Sequence, residues 1–307
     1  KNKLWYRLYG HFMMNHLINR IIHGGLLGLM GVCSLQAQTL FSPDGGMDHF
    51  QKTQRLVLDN AKIDVLYRLK YLEDSTKIQD YTEAQTVLRL SDHYALYTEY
   101  YKIALDSIND LCAESKKNAR RYRTDWEEAC KKCCLVMNFR SAINLEKAVA
   151  TVQRRGIRNY QYEQPLPNFK WNLVEGDTLI LDKPCKKAIG SYAGRDYVAW
   201  YAESVNMPYG PYLFGGLPGL IMYLHDTHYN WVFTCNGIEK ATKLRSMYLY
   251  KNKDIIQTTR EKALTACKNE EENFMNLAID EWGIEVNGKK PEANYPQSPC
   301  NMLELQW

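Results

Sequence analysis

The residues with the most evident chemical potential are three closely spaced cysteines, Cys130, Cys133 and Cys134. A Cys-x-x-Cys spacing is typical of a zinc ligand pair or of a redox-active dithiol. A zinc site needs four ligands, however, and the sequence has no second pair at a matching spacing. If the segment is helical, the three thiols are also badly placed for bonding to one another. Disulfides to Cys112 or to distant cysteines are favoured over a metal site, and free thiols are a third alternative.

A second candidate is His225-Asp226-Thr227-His228, in which two histidines flank a carboxylate. Such a set could bind a metal weakly, but its place between two predicted strands indicates a solvent-exposed turn. A Ser-His-Asp hydrolase stays open, although no Gly-x-Ser-x-Gly elbow is present. The glycines over 210–221 precede a predicted strand rather than a helix, which argues against a phosphate-binding loop. The residues therefore predict no catalytic set, no metal and no cofactor.

Residues 1–37 have the layout of a secretory signal peptide with some upstream residues before Met13 and Met14. Arg20 precedes an apolar run over 24–32, and Ala37 is a small residue at the cleavage position. Cleavage there leaves residues 38–307 as the mature chain.

Two alternatives to cleavage concern the same segment. The apolar run of about nine residues is too short to span a bilayer, which disfavours a membrane anchor. A lipoprotein would use Cys33, but Val32 before it is bulkier than that processing prefers. We expect an exported chain in the periplasm or at the outer membrane, without a membrane span after processing.

Removal of residues 1–37 changes how charge and cysteine content are interpreted. That segment holds four of the 39 basic residues and no acidic one, so 35 basic residues remain against 35 acidic residues. A balanced chain has no net positive field to attract nucleic acid. Eight cysteines remain, and an oxidising compartment favours disulfides among them.

The periodicity of apolar residues predicts strands that alternate with helices. Alternation over 62–71 and over 84–98 predicts a strand and a hairpin, and short strand patterns separated by turns recur between 160 and 250. Helical spacing covers 102–138 and continues over 141–154. A capping-box pattern at 258–261 opens another helix. The expected fold is α+β, a curved antiparallel sheet with helical insertions at about 102–154 and 258–281. An open half-barrel is the leading form and a flatter sheet is the alternative.

The densest backbone signal is the window 210–221, which contains four glycines and two prolines. Pro218 and Gly219 predict a type II turn with a positive φ at Gly219. The neighbouring pair Gly215 and Gly216 predicts a close backbone approach or a bend of the sheet. A buried corner of the sheet is favoured over a backbone platform for a ligand.

The segment 171–221 resembles the GLPGLI family of exported proteins from Bacteroidetes. The family's Cys-x-Lys-Ala element resembles 185–188, and its Gly-Arg-x-Tyr-x-Ala-Trp-Tyr strand resembles 194–201. Gly210 and Pro211 resemble its Gly-Pro pair, and the naming hexapeptide is intact at 216–221. The tail 301–305 is similar to the family's Asn-Pro-Ile-Glu-Leu ending, with Met302 in place of proline. The motif residues are Cys185, Arg195, Trp200, Gly210, Pro211, Gly216, Leu217, Pro218, Gly219, Leu220 and Ile221.

The resemblance implies a mostly β envelope protein of uncharacterised role, and it carries no catalytic residues with it. Strand parity places Arg195 and Trp200 on opposite faces, with Trp200 in the core. For Arg195 a surface ion pair is favoured over binding of an anion. The predicted function is a non-enzymatic exported protein that binds an envelope partner protein or an apolar ligand. The alternative is a periplasmic hydrolase or a thiol- or metal-dependent enzyme.

Overall fold

The structure, a computed structural model, describes residues 50–115, 121–132, 139–282 and 294–307. Its described residues form fourteen strands: β1 (Arg55–Asn60), β2 (Ile63–Leu72), β3 (Tyr81–Leu90), β4 (Tyr94–Glu99), β5 (Phe139–Asn144), β6 (Val149–Arg155), β7 (Asn159–Pro165), β8 (Asn172–Ile180), β9 (Lys183–Tyr192), β10 (Arg195–Ala202), β11 (Leu220–Asp226), β12 (Trp231–Lys240), β13 (Ser246–Tyr250) and β14 (Ile255–Gln257). The same residues contain four helices: α1 (Tyr100–Ser115), α2 (Arg123–Lys132), α3 (Arg260–Glu272) and α4 (Phe274–Trp282).

Twelve strands form one sheet in the order β14-β7-β6-β5-β4-β3-β2-β12-β11-β10-β9-β8. Strands β2 to β7 follow one another as a first meander, and β8 to β12 follow one another as a second. The two meanders join where β2 pairs antiparallel with β12, with Tyr67 opposite Cys235. The sheet is mixed rather than wholly antiparallel, because β14 pairs parallel with β7.

The inner face of this sheet carries the main hydrophobic core. Inward side chains from both meanders, among them Tyr67, Tyr97, Phe139 and Phe233, are fully or almost fully buried. Three further segments cover this face: the loop between β10 and β11, helix α3 and the C-terminal segment 301–305. The core therefore lies between the sheet and segments that belong to the same chain.

A two-stranded sheet, β1 with β13, covers part of the opposite face. Leu96, Ala142, Met247 and Leu249 pack together there. Helix α1 lies beside this small sheet, where Asp106 accepts hydrogen bonds from the hydroxyl groups of Tyr248 and Tyr250. Strands β4 and β5 are consequently buried on both faces.

Burial on both faces explains one wrong prediction, the helix expected over 141–154. This segment instead forms β5, a turn and β6, with Ile143 opposite Ala150 on the inner face. A strand that is buried on both sides loses its polar alternation, so the apolar residues at Ala142, Val149 and Val152 resemble a helical pattern.

The other predicted elements can be compared with the structure directly. The strands at 62–71 and 84–98 are present as β2, β3 and β4. The helix predicted from 258 is present as α3 followed by α4, and Thr259 caps α3 by accepting from the Lys262 amide. The segment 1–37 lies outside the described residues. Within the described ranges, no helix has the length and apolarity needed to cross a membrane.

Candidate functional site

The glycine and proline window 210–221 is a buried corner that packs against the inner face. Tyr212, Leu213, Phe214 and Leu217 are almost completely buried there. Neighbouring strands fix its backbone, since the Ser141 hydroxyl donates to the Tyr212 carbonyl at 2.9 Å and the Trp171 indole donates to the Gly215 carbonyl at 2.8 Å. These contacts favour a structural role for the window over a backbone platform for a ligand.

The glycines of this window have other roles than those expected from a type II turn at Pro218 and Gly219. The predicted positive φ at Gly219 is wrong, and Gly216 is the residue that takes it, at 82°. Gly219 is required for space: a Cβ there would lie 2.6 Å from the Ala202 carbonyl carbon and 2.9 Å from the Glu203 Cα. At Gly215, the predicted close approach is present, because a Cβ would lie 2.8 Å from the Pro208 carbonyl oxygen.

Arg195 is buried and holds the C-terminal segment, which corrects the expected surface ion pair. Its Nε donates to the carbonyl groups of Met302 and Leu303, both at 3.2 Å, and its Nη1 lies 3.4 Å from Asp226 Oδ2. Asp226 also accepts from the backbone amide of Trp231 at 2.7 Å. Arg195 therefore joins the turn after β11 to the tail.

The positions of Trp200 and of the histidine segment also differ from expectation. Trp200 is only half buried on the face opposite Arg195, with the Lys187 ammonium 5.7 Å from its ring centroid. His225 and Asp226 are buried rather than part of an exposed turn. Burial lowers the pKa of the His225 imidazole. Within the described residues, no group of three His, Cys, Asp or Glu side chains is placed to hold a metal.

Five cysteines have described side chains, and all five are free thiols: Cys112, the motif residue Cys185, Cys235, Cys267 and Cys300. The disulfides expected among these five are not formed. Cys133 and Cys134, with the side chain of Cys130, lie outside the described residues. Burial raises the pKa of the Cys235 thiol to about 11 and that of Cys267 to about 12. Such thiols are protonated at neutral pH and are poor nucleophiles.

A buried polar cluster surrounds Glu304, which is fully inaccessible to solvent. Its carboxylate accepts from the Tyr212 hydroxyl and from Arg260 Nε, and Arg154 Nη2 lies 3.6 Å away. Tyr192 donates to the same carboxylate at 3.4 Å. Glu304 thus ties the tail, the motif window and helix α3 to one point.

Strand β8 and the turn that follows it carry a group of exposed apolar side chains. We call Leu173, Val174, Leu179 and Leu181 the apolar edge. The exposed fractions of Leu173, Leu179 and Leu181 are 60%, 70% and 45%. β8 ends the large sheet, and no described strand pairs with its outer side. The apolar residues lie at the two ends of this unpaired edge, and the exposed Glu175 and Asp177 beside a bulge separate them. Charges and a bulge protect the middle of an edge strand, whereas its apolar ends stay open to contact.

The turn at the end of this edge is held in an unfavourable conformation. Ile180 pairs with Lys183, so Leu181 and Asp182 form a two-residue hairpin turn with φ values of 50° and 56°. Two consecutive positive φ values indicate a type I′ turn, where Asn-Gly is preferred. An exposed leucine in this conformation contributes little to folding and is consistent with a contact surface.

We expect the double change Leu181→Asn and Asp182→Gly to stabilise the protein by about 1 kcal/mol, because it removes the left-handed strain at two positions. Urea denaturation followed by circular dichroism measures this change. Leu179→Asn is the matched control, because Leu179 is more exposed and is not a left-handed residue. A lower stability of the double variant would contradict the strain argument.

Two groups of candidate functional residues do not follow from the sequence. Glu304 lies in the segment 301–305, where the family resemblance is weak. The sequence feature that could have pointed to Glu304 is an acidic residue between two leucines, Leu303 and Leu305. For the apolar edge, one of the short strand patterns predicted between 160 and 250 covers only the second half of β8, and the apolar pair Leu173 and Val174 is the signal for the longer strand.

Comparison with known proteins identifies no family for this chain. No family model and no curated protein matches it. Among solved structures, two of PNGF-II align over 70% of this chain and 34% of theirs, with 10% and 12% identity and TM-scores of 0.43 and 0.46. An uncharacterised conserved protein from Thermus thermophilus aligns over 65% of this chain and 91% of its own, with 8% identity and a TM-score of 0.32. The chain therefore spans about a third of the length of the PNGF-II chains.

Proposed function

We propose that this chain is an exported, non-enzymatic envelope protein of the GLPGLI type that binds a partner protein along strand β8. The partner contributes an extended segment that adds to the sheet next to β8. The apolar edge is the observation that carries this proposal. Export rests on the signal-peptide layout of residues 1–37 and on the motifs between 171 and 221.

Strand addition at β8 fits the chemistry of its outer side. An edge strand presents alternating N–H and C=O groups that an extended peptide can pair with. The exposed leucines beside them offer apolar contacts to alternate side chains of that peptide. The opposite end of the sheet offers far less, because β14 has only three residues.

A partner protein is favoured over an apolar ligand on the inner face. The inner face is occupied by side chains of the chain itself, including Tyr212, Phe214 and Leu303, all of which are almost completely buried. Close packing of this kind leaves little room for a lipid chain.

The enzyme alternatives receive less support from the described residues. A thiol enzyme needs an accessible cysteine with a lowered pKa, whereas burial raises the pKa of Cys185, Cys235 and Cys267. A hydrolase based on His225 needs an imidazole that faces a substrate. His225 is instead stacked on Tyr229 with ring centroids 4.2 Å apart and is almost completely buried.

The proposal includes an open half-barrel curvature of the large sheet. Arg154 on β6 and Tyr192 on β9 both reach Glu304, although eight strand spacings, about 38 Å in a flat sheet, separate β6 from β9. Phe139 on β5 and Trp231 on β12 have ring centroids 6.5 Å apart across four such spacings. Contacts between such distant strands support a curved sheet over the flatter alternative.

We expect the double change Leu173→Lys and Leu179→Lys to abolish capture of the partner, because charges on β8 oppose edge pairing. The measurement is affinity capture from envelope extracts, with a photo-crosslinking residue at position 181 to identify the bound segment by mass spectrometry. Unfolding curves confirm that the variant remains folded.

Ile256→Lys is the matched control, since Ile256 is 42% exposed on β14 at the other end of the sheet. Its capture of the partner is expected to equal that of the wild type. Equal capture by the β8 variant and the wild type would refute docking at this edge.

A further inference from the structure

A pocket of about 590 Å³ opens beside the buried cluster around Glu304. Its walls come from four parts of the chain: the end of β7, the turn between β9 and β10, the start of helix α3, and the tail. Tyr192, Pro165, Pro167 and Trp307 contribute flat, mostly apolar surfaces, and Gln164 and Arg260 contribute polar groups. The pocket shares no lining residue with the apolar edge on β8, and the proposed partner binding does not use it.

Arg260 joins the pocket to the cluster below it. Its Nε donates to Glu304 Oε2 at 3.1 Å, and its Nη2 donates to Glu304 and, at 3.2 Å, to the Gln306 carbonyl. Among the described residues these bonds use Nε and Nη2 and leave Nη1 for another acceptor. Arg260 is partly exposed, so this face is within reach of a ligand.

The Gln164 amide is a further donor beside the pocket, and it interacts with the Tyr192 hydroxyl. Gln164 Nε2 is buried in the pocket wall without a hydrogen bond of normal geometry to any described residue. Arg154 Nε and the Tyr162 hydroxyl, deeper in the cluster, also lack a bond of normal geometry, but the Tyr162 hydroxyl interacts with Arg154 and Tyr212. Buried polar groups are usually hydrogen-bonded, so the second N–H of the Gln164 amide is the donor available to an acceptor that enters the pocket.

The charge of the cluster defines the kind of acceptor. Two guanidinium groups, Arg154 and Arg260, interact with a single carboxylate, that of Glu304. Of the described residues that line the pocket, none is acidic. Among these three side chains positive charge is in excess, which favours an anionic ligand over a neutral one.

We propose that this pocket binds a small organic carboxylate. The carboxylate accepts from Arg260 Nη1 and from the Gln164 amide, and the flat body of the ligand packs against Trp307, Tyr192 and the two prolines. An arginine and an amide side by side suit the planar carboxylate group. The apolar walls select a ligand with a ring or a flat chain rather than a bare inorganic anion.

The test uses benzoate as the charged probe and benzamide as its uncharged counterpart. Trp307 donates its indole N–H to the Thr265 hydroxyl at the rim of the pocket, so its indole NMR signal reports on occupancy. We expect benzoate to shift this signal in a saturable way and benzamide to bind at least about tenfold more weakly, as expected for the loss of a charge-assisted hydrogen bond.

Arg260→Gln is expected to weaken benzoate binding by about tenfold or more. Arg158→Gln is the matched control, because Arg158 is an exposed arginine paired with Glu281 outside the pocket, and its benzoate affinity should be unchanged. Gln164→Glu keeps Arg260 and Glu304 in place and adds a negative charge to the pocket wall, so it should also weaken benzoate binding even if Arg260→Gln fails to fold.

Three results would overturn the proposal: no saturable shift with benzoate, equal affinity for benzamide, or an unchanged affinity in Gln164→Glu. None of them bears on partner capture at β8, so the two proposals fail separately.

Discussion

Gly219→Ala is expected to destabilise the protein by about 3 kcal/mol, near the upper end for overpacking a tight site. The added Cβ would overlap the Ala202 carbonyl group and the Glu203 Cα. These are backbone atoms of the segment that leaves β10, so no side-chain rotation can relieve the overlap. Chemical denaturation of the purified variant measures the loss in the free energy of unfolding.

Gly216→Ala separates a steric cause from a conformational one. Gly216 has a φ of 82°, and a Cβ there would contact no other group within 4 Å. Its replacement should therefore cost only the left-handed strain, about 1 kcal/mol. The expected order of destabilisation places Gly219→Ala above Gly216→Ala. The reverse order would show that φ, and not space, explains the glycines of this window.

Glu304→Gln is expected to cost about 3 kcal/mol, as for the removal of one partner from a buried ion pair. The glutamine keeps the shape of the side chain and an acceptor for Tyr212. It leaves the buried Arg154 and the partly exposed Arg260 without a counter-charge. Thermal and urea unfolding should both report the loss.

The control for this change is Glu281→Gln, which removes an exposed ion pair with Arg158 at 3.4 Å. Exposed pairs contribute less than about 1 kcal/mol, so this variant should unfold almost as the wild type does. A cost for Glu304→Gln no larger than that of Glu281→Gln would contradict the view that the tail is held by buried charge.

The mostly β architecture could be predicted because it depends on local patterns. Strands β2 and β3 alternate apolar and polar residues, and the Thr259 cap marks the start of α3 by its own sequence. The segment 141–154 could not be assigned in this way. Its strands are buried on both faces only because β1 and β13 cover them, and that coverage depends on residues about 90 positions away.

The contrast between local sequence patterns and contacts of distant segments also explains which features of the candidate site could be predicted. The residues around Gly219 predict that it lies in a tight corner. Position 219 requires glycine because the backbone at Ala202 and Glu203 lies too close for a Cβ, and this contact depends on packing between segments. The charge of Arg195 predicts a place on the surface, because charged side chains are rarely buried. Carbonyl groups of the tail, more than 100 residues later in the chain, are what allow its burial.

The order of strands in the large sheet has a consequence for the time course of folding. Within each meander, neighbouring strands are close in sequence and can pair early. The single junction between β2 and β12 joins residues such as Tyr67 and Cys235, which lie far apart along the chain. Until that junction closes, both strands present unpaired edges that favour aggregation. We therefore expect the docking of the two meanders to limit the folding rate, and the newly made chain to need protection during that interval.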